Sequence, residues 1–328
     1  MKILLPVVAA AFFFPLFSGN ASAADPLVGI GQSGSQDAKV AGKEAAVEAK
    51  TALGAASPKI VLVFAARPQL TPQLVEGVAE IFDKALIYGC EGYSSLTPAG
   101  NFADRGHAIS SGVSVMALGG DVAFSTASAE VGKPADKADG TRVFHENGKA
   151  LGAALKEAWG AAHAGKLIIT FGNQHVGSNQ AFVEGVAEVL GNDIKMVGAA
   201  AGGGGAKEIV RGEIVTGTNI AILMTGHFKV KTAAANGDEV QTADAAFKSV
   251  LAKGGEKAAL IFVFDCGGRR GNMLKAGTLV QEWQTMKSNA GTIPFFGFYG
   301  GGEIGHKTPD GPCQGVGVHI ATAAVIPQ

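Results

Sequence analysis

The chain states one pattern three times, and that repetition limits its architecture more than any other feature. Lys59-Ile60-Val61-Leu62-Val63-Phe64 returns as Lys166-Leu167-Ile168-Ile169-Thr170-Phe171 and again as Ala259-Leu260-Ile261-Phe262-Val263-Phe264. The hexamer Val75-Glu76-Gly77-Val78-Ala79-Glu80 recurs letter for letter at Val183–Glu188. Each copy then reaches a second apolar run that breaks into glycine: Ile87-Tyr88-Gly89-Cys90, Met196-Val197-Gly198-Ala199 and Phe295-Phe296-Gly297-Phe298. A further apolar strand closes each copy, at Val113–Leu118, Ile220–Met224 and Gly315–Ile320. Lys59 and Lys166 stand about 107 residues apart, too far for a solenoid repeat of roughly 20–50 residues and right for a duplicated small domain.

Continuous apolar runs alternating with helical patterns predict α/β architecture, with strands buried on both faces. The closing strand makes the sheets mixed. The expected fold is therefore mixed β-sheets with flanking helices, built from three related βαβ-type units. Helices are expected over Asp37–Leu53 with Asp37 as cap, from Thr71-Pro72 with Thr71 as cap, from about His145 to Ala162, and over Gln180–Leu190, Thr242–Leu251 and Leu274–Lys287. Gly132–Gly140 and Ala233–Gly237 read as boundaries between units.

Lys2, the apolar run Ile3–Phe17 and the small-x-small stretch Ala21-Ser22-Ala23 read as a signal peptide over residues 1–23. The run is shorter than a spanning helix requires. An exported protein, periplasmic or extracellular, is expected. Formal net charge is −1, from 27 basic and 28 acidic residues with no basic stripe in the sequence, which argues against nucleic acid or an anionic membrane as partner. Cys90, Cys266 and Cys313 lack metal-ligand spacing, and the seven histidines are scattered. No metal and no cofactor is implied. A Cys266–Cys313 bridge is one alternative; buried, inert thiols are the default.

Ligands in such folds sit beyond the carboxyl ends of the strands, so the three glycine corners are the candidate site. The richest lies in the third unit, where Asp265-Cys266-Gly267-Gly268-Arg269-Arg270 follows one strand and Gly297 through Gly305 follows the next. Arg269 is expected to clamp a carboxylate, Glu303 to receive an ammonium, Gly301 and Gly302 to offer backbone donors, and Tyr299 to form a wall. An Arg–Glu pair bracing two loops uses the same residues. Arg67, Asn173 and His175 hold the matching places in the other units, and loop hydrogen bonding is the plainer role for His175.

These strings carry a resemblance. Phe264-Asp265-Cys266-Gly267-Gly268-Arg269 together with Pro294 through Gly305 resembles the C-terminal half of the FIST sensory domain family. Gly29–Ser33, the alanine-rich helix, Ile60–Phe64, Ile87–Cys90 and Val113–Leu118 resemble its N-terminal half. The resemblance implies a FIST N-terminal-like region over 24–232, in two units of about 24–130 and 131–232, and a FIST C-terminal-like region over 233–328. It implies a small-ligand sensing domain of signal transduction, with amino acids proposed as ligands and an unknown signalling protein as partner. The chain departs from that pattern in carrying a leader and no kinase, cyclase or receptor module.

An enzyme is the competing class. Cys266 sits at a strand end before a helix, where a thiol pKa falls, but no base stands in a recognisable order. Gly29-x-Gly31-x-x-Gly34 matches a dinucleotide fingerprint, yet the second strand ends Ala65-Ala66-Arg67 with no acidic residue for the ribose. A turn cluster is the better reading of those glycines.

Overall fold

The computed structural model describes residues 26–67, 69–99, 112–175, 177–203, 205–237, 239–309 and 311–328. The leader expected over 1–23 lies outside the described residues. Among the described residues no helix is long and apolar enough to cross a membrane.

Each unit contributes an edge strand, a helix, a strand, further helix, a glycine-bearing strand, a short strand or hairpin and a closing strand. In the first unit these are β1 (Pro26–Ser33), α1 (Ala38–Leu53), β2 (Ile60–Ala66), α2 (Pro72–Ala79), β3 (Ile87–Gly92), β4 (Ser94–Leu96) and β5 (Val113–Gly120). In the second they are β6 (Val122–Glu130), α3 (Lys137–Gly160), β7 (Gly165–Gly172), α4 (Asn179–Leu190), β8 (Met196–Ala200), the hairpin β9 (Lys207–Val210) and β10 (Glu213–Thr216), and β11 (Thr218–Gly226). In the third they are β12 (Phe228–Asn236), α5 (Val240–Leu251), β13 (Leu260–Cys266), α6 (Gly267–Ala276), α7 (Leu279–Ala290), β14 (Phe295–Gly300), the hairpin β15 (Glu303–Gly305) and β16 (Gln314–Val316), and β17 (His319–Pro327).

The units trade strands in a closed ring. The sheets run β1-β5-β2-β3-β9-β10, then β6-β11-β7-β8-β15-β16, then β12-β17-β13-β14-β4. The second unit's hairpin completes the first sheet, the third unit's hairpin completes the second, and β4 of the first unit completes the third. Within each sheet the middle pair is parallel, β2 with β3, β7 with β8 and β13 with β14, and the rest antiparallel.

The inner faces of all three sheets share one apolar core, while a separate cluster lies between each sheet and its own helices. Phe64, Phe171 and Phe264, the last residues of the repeated hexamer, meet at the centre. Phe64 stands edge-on to Phe171 at 5.4 Å and to Phe264 at 6.3 Å between ring centroids, the orientation aromatic quadrupoles favour. The duplicated Val-Glu-Gly-Val-Ala-Glu has a packing reason as well. A Cβ on Gly77 would lie 2.1 Å from the Lys39 carbonyl, and one on Gly185 would lie 2.0 Å from that of His145. Both glycines let a helix pair cross in near contact.

The helix caps behave as the sequence predicts at Asp37 and Thr71, whose side chains accept from Val40 and Leu74. Elsewhere the elements differ. Helix α3 starts at Lys137, not near His145, because Asp136 caps it by accepting from the Asp139 amide. The single helix expected over Leu274–Lys287 is two, interrupted at Gly277, whose φ of 72° ends α6 in a left-handed cap. The third closing strand is His319–Pro327, and Gly315 belongs to the hairpin. Ala233 and its neighbours are strand, not linker. Because β6 and β12 pair with the sheets that follow them, the sheets divide the chain at the tight turns around Asp121 and His227 rather than at residues 130 and 232.

Candidate functional site

The three glycine corners do converge, and they bond to one another. Tyr93, Gly202 and Gly301 follow β3, β8 and β14 at equivalent positions. The Tyr93 amide donates to the Tyr299 carbonyl, the Gly202 amide to the Glu91 carbonyl and the Gly301 amide to the Ala200 carbonyl, each at 2.9 Å. This ring of three backbone hydrogen bonds repeats the order of strand exchange. A Cβ on Gly300 would fall 2.5 Å from the Ala200 carbonyl, and one on Gly267 would fall 2.2 Å from the Tyr93 ring. Gly300 thus admits neighbouring backbone and Gly267 a neighbouring ring. The Gly301 amide, expected to serve a ligand, is already committed to Ala200.

Around this ring stand residues from the other two units. Arg67 donates through Nη1 to the Gly202 carbonyl at 3.0 Å, and its Nε lies 3.4 Å from Oε2 of Glu91. His175 is exposed, with its ring against Gly301. Asn173 donates its amide to the Thr218 carbonyl. Next to it the side chain of Gln174 is fully buried, and neither its Oε1 nor its Nε2 has a hydrogen-bond partner.

Under the third corner lies a buried polar cluster. Strand β13 ends in Asp265 and Cys266, and α6 begins at once, so Arg269 returns four residues later onto Asp265. Its Nε donates to Asp265 Oδ1 at 2.9 Å and its Nη2 donates to Oε1 of Glu282 on α7. Tyr299 on β14 donates its hydroxyl to Glu282 Oε2 at 2.8 Å. Glu303, on β15, accepts the His319 amide at 3.1 Å. Asp265, Arg269, Glu282, Tyr299 and Glu303 are all 0% exposed. The guanidinium thus braces Asp265 and Glu282 rather than facing Glu303 across a hollow, and Tyr299 is interior rather than a wall.

The cluster is incompletely satisfied. Asp265 Oδ2, Arg269 Nη1 and Glu303 Oε1 are buried with no hydrogen-bond partner. Burial pushes Asp265 up to about 6, against the opposing pull of Arg269. It pushes Glu282 and Glu303 well above the ordinary carboxylate range. Desolvation outweighs pairing because three buried acids stand near one guanidinium, which bonds Asp265 and Glu282 and reaches Glu303 only through its field.

Cys266 is the cluster's outermost member, beside exposed Gly268 and Val318. Burial and the nearby Glu303 carboxyl push its thiol up, partly offset by the backbone N–H groups of Arg269, Gly268 and Val318 that point at the sulfur. Val318 reaches it from a left-handed conformation, φ 58°, which costs a β-branched residue on the order of 1–3 kcal/mol. All three cysteines are free and buried, so the Cys266–Cys313 bridge does not form. Among the described residues no group of three or more His, Cys, Asp or Glu is arranged to hold a metal.

Sequence reading found Cys266, Arg269, Tyr299 and Glu303 but not their partners. The Asp265-to-Arg269 spacing, four residues across a helix start, was a usable signal. Glu282 offered none, because only the fold brings α7 back over α6.

The chain matches the FIST N domain over residues 59–243 and the FIST C domain over residues 209–306. Two solved structures are similar in outline. The cyanuric acid hydrolase of A. caulinodans is 14% identical, with a TM-score of 0.46 over 93% of this chain and 100% of that one. A second cyanuric acid hydrolase is 11% identical, with a TM-score of 0.45 over 91% and 99%. No curated protein matches.

Proposed function

The chain belongs to the FIST family, and from that premise we propose that it senses a small amino acid-like metabolite through the third-unit cluster. FIST domains are sensory, ligand-binding modules of signal transduction. The observation that carries the placement is the set of three buried orphan atoms, Asp265 Oδ2, Arg269 Nη1 and Glu303 Oε1. Leaving such atoms unpaired costs on the order of 1–3 kcal/mol each, and a ligand bearing an ammonium and a carboxylate supplies the missing partners. Entry is over Cys266, between Gly268 and Val318. An ammonium settling against Glu303 takes the place of that carboxyl's proton, so binding releases protons. The leader-like residues Lys2 to Ala23 support a location outside the cytoplasm, with an unidentified signalling protein reading the bound state in this proposal.

A second reading, an enzyme with Cys266 as nucleophile, is favoured by the three backbone amides aimed at the sulfur and by the strained Val318. It requires a base, and Glu303 is the only one of the cluster's carboxyls in electrostatic contact with the thiol.

Thermal-shift screening against amino acids and small organic acids tests the first reading, since a ligand stabilises the state it binds. A hit is expected to lose its shift in Glu303→Gln and keep it in Cys266→Ser. A hit unaffected by Glu303→Gln places the site elsewhere. Turnover of the hit that vanishes in Cys266→Ser establishes the enzyme instead.

A further inference from the structure

At the end of the strands opposite the glycine corners, six lysines from distant parts of the chain line one cavity of about 730 Å³: Lys166, Lys195, Lys229, Lys231, Lys253 and Lys257. An adjoining cavity of about 550 Å³ shares Lys195, Lys231 and Lys253. No carboxylate side chain and no aromatic ring lines the larger one. The nearest acid in sequence, Glu256, accepts the Gly254 amide at 2.8 Å.

Some lysines elsewhere on the molecule find acids, while others, such as Lys59 and Lys207, bond backbone carbonyls. Lys39 and Lys43 meet Glu80, Lys149 meets Glu188 and Lys248 meets Asp244. Among the described residues, none of the six in the cavity forms an ion pair. Where their ammonium groups are engaged, the partners are neutral: backbone carbonyls of Trp159 for Lys166, Pro309 for Lys195, and Ala252 and Lys253 for Lys231, with the Trp159 ring also 5.3 Å from Lys166 Nζ. Those bonds orient the charges without neutralising them. The loop carrying Lys253 is held in the left-handed region, with φ 49° at Lys253 and 97° at Gly254, a conformation that costs a non-glycine residue roughly 1–2 kcal/mol.

Six like charges around one concavity repel each other, and their field concentrates anions there. We infer that this lysine-lined cavity is a binding site for a small polyphosphorylated or condensed-phosphate anion. Ammonium groups act as point charges suited to phosphoryl oxygens, whereas a planar carboxylate is recognised by the fork of arginine, and no arginine lines the cavity. The lack of an aromatic ring removes the stacking platform that a single-stranded nucleic acid needs. The concave shape favours a compact ion over a flat membrane face. This site is separate from the third-unit cluster and does not depend on its ligand.

Titration calorimetry with tripolyphosphate tests it. One site is expected, weakening steeply between about 0.05 M and about 0.5 M salt because the charges are exposed. The Lys229→Gln, Lys257→Gln double variant, at two exposed lysines whose ammonium groups have no bonded partner among the described residues, is expected to weaken binding at least about tenfold. Lys39→Gln, Lys43→Gln, which removes the same charge elsewhere, should leave it unchanged. As an independent readout, the cavity double variant should raise the low-salt melting temperature and lose that advantage when tripolyphosphate is added. No heat at low salt, equal loss in both double variants, or tighter binding to duplex DNA or anionic vesicles than to tripolyphosphate would overturn the assignment.

Discussion

Glu208 and Glu303 hold the same position in successive sheets. Glu208 on β9 stands opposite Cys90, and Glu303 on β15 stands opposite Ala199, each beside the glycine-bearing strand of the preceding unit. Each sends Oε2 back to its own unit's closing strand, to the amides of Thr218 and His319. Each leaves Oε1 buried without a hydrogen bond. At the third equivalent place, opposite Phe298, stands Ser95, whose hydroxyl donates to the Phe64 carbonyl. The ring therefore carries two buried carboxyls and one neutral substitute.

Glu208 makes stability depend on pH. Burial pushes it up to about 8, with the charge of Glu91 adding to the rise. A carboxyl whose folded value lies above its unfolded one leaves stability intact below the unfolded value, about 4.5, and drains it as pH climbs towards 8. The loss above that window is up to roughly 5 kcal/mol. Urea unfolding of the wild type and of Glu208→Gln, compared at about pH 5 and about pH 8.5, should show the variant gaining relative stability at the higher pH. Parallel pH profiles would mean that Glu208 does not carry the effect.

Arg269 is the brace of the third-unit cluster. Removing its guanidinium leaves Asp265 and Glu282 buried beside each other without a cation. Arg269→Met is expected to cost about 3–5 kcal/mol in chemical denaturation. Adding Asp265→Asn to that variant should recover part of the loss, because the two positions share one bond and their effects do not add. Arg269→Lys should recover less than the full loss, since a single ammonium does not span the fork that reaches both acids. An Arg269→Met protein as stable as the wild type would show that the buried pair contributes nothing.

The repeated strands were legible because burial on both faces writes a continuous apolar run, as at Ile60–Phe64 and Leu260–Phe264. The helix caps at Asp37 and Thr71 were legible because one side chain decides them. The short exchanged strands were not. Ser94–Leu96 and Glu303–Gly305 are three residues each, too short for a period-2 pattern, and their partners lie in another unit. The same reason hid the lysine cavity: its charges are spread from residue 166 to residue 257, and no local window contains more than two or three. The third-unit site was half legible. Its members near the glycine corners stood in the quoted strings, while Glu282 enters only through the crossing of α7. The glycines themselves were read as open backbone for a ligand, and most of them admit a neighbouring chain instead.

That last point yields a test of the threefold arrangement itself. Gly89, Gly198 and Gly297 occupy equivalent places in the parallel pairs, opposite Val63, Thr170 and Val263. A Cβ at these positions would lie 1.9, 1.9 and 1.6 Å from the carbonyl oxygens of those three residues. No rotamer relieves such a contact, because both atoms belong to backbone-fixed positions, so the strand pair has to separate. Alanine at any one of them should cost about 3 kcal/mol or more, at the upper end of overpacking penalties, read as a lowered urea midpoint or loss of soluble protein. Gly160→Ala, at the end of α3 with nothing within 4 Å of the added methyl, should be neutral or stabilising by a few tenths to about 1 kcal/mol. If the three strand variants behave like Gly160→Ala, the parallel strands approach less closely than described. If only one or two of them fail, the three units are related by ancestry in their sequences but not by equivalent packing.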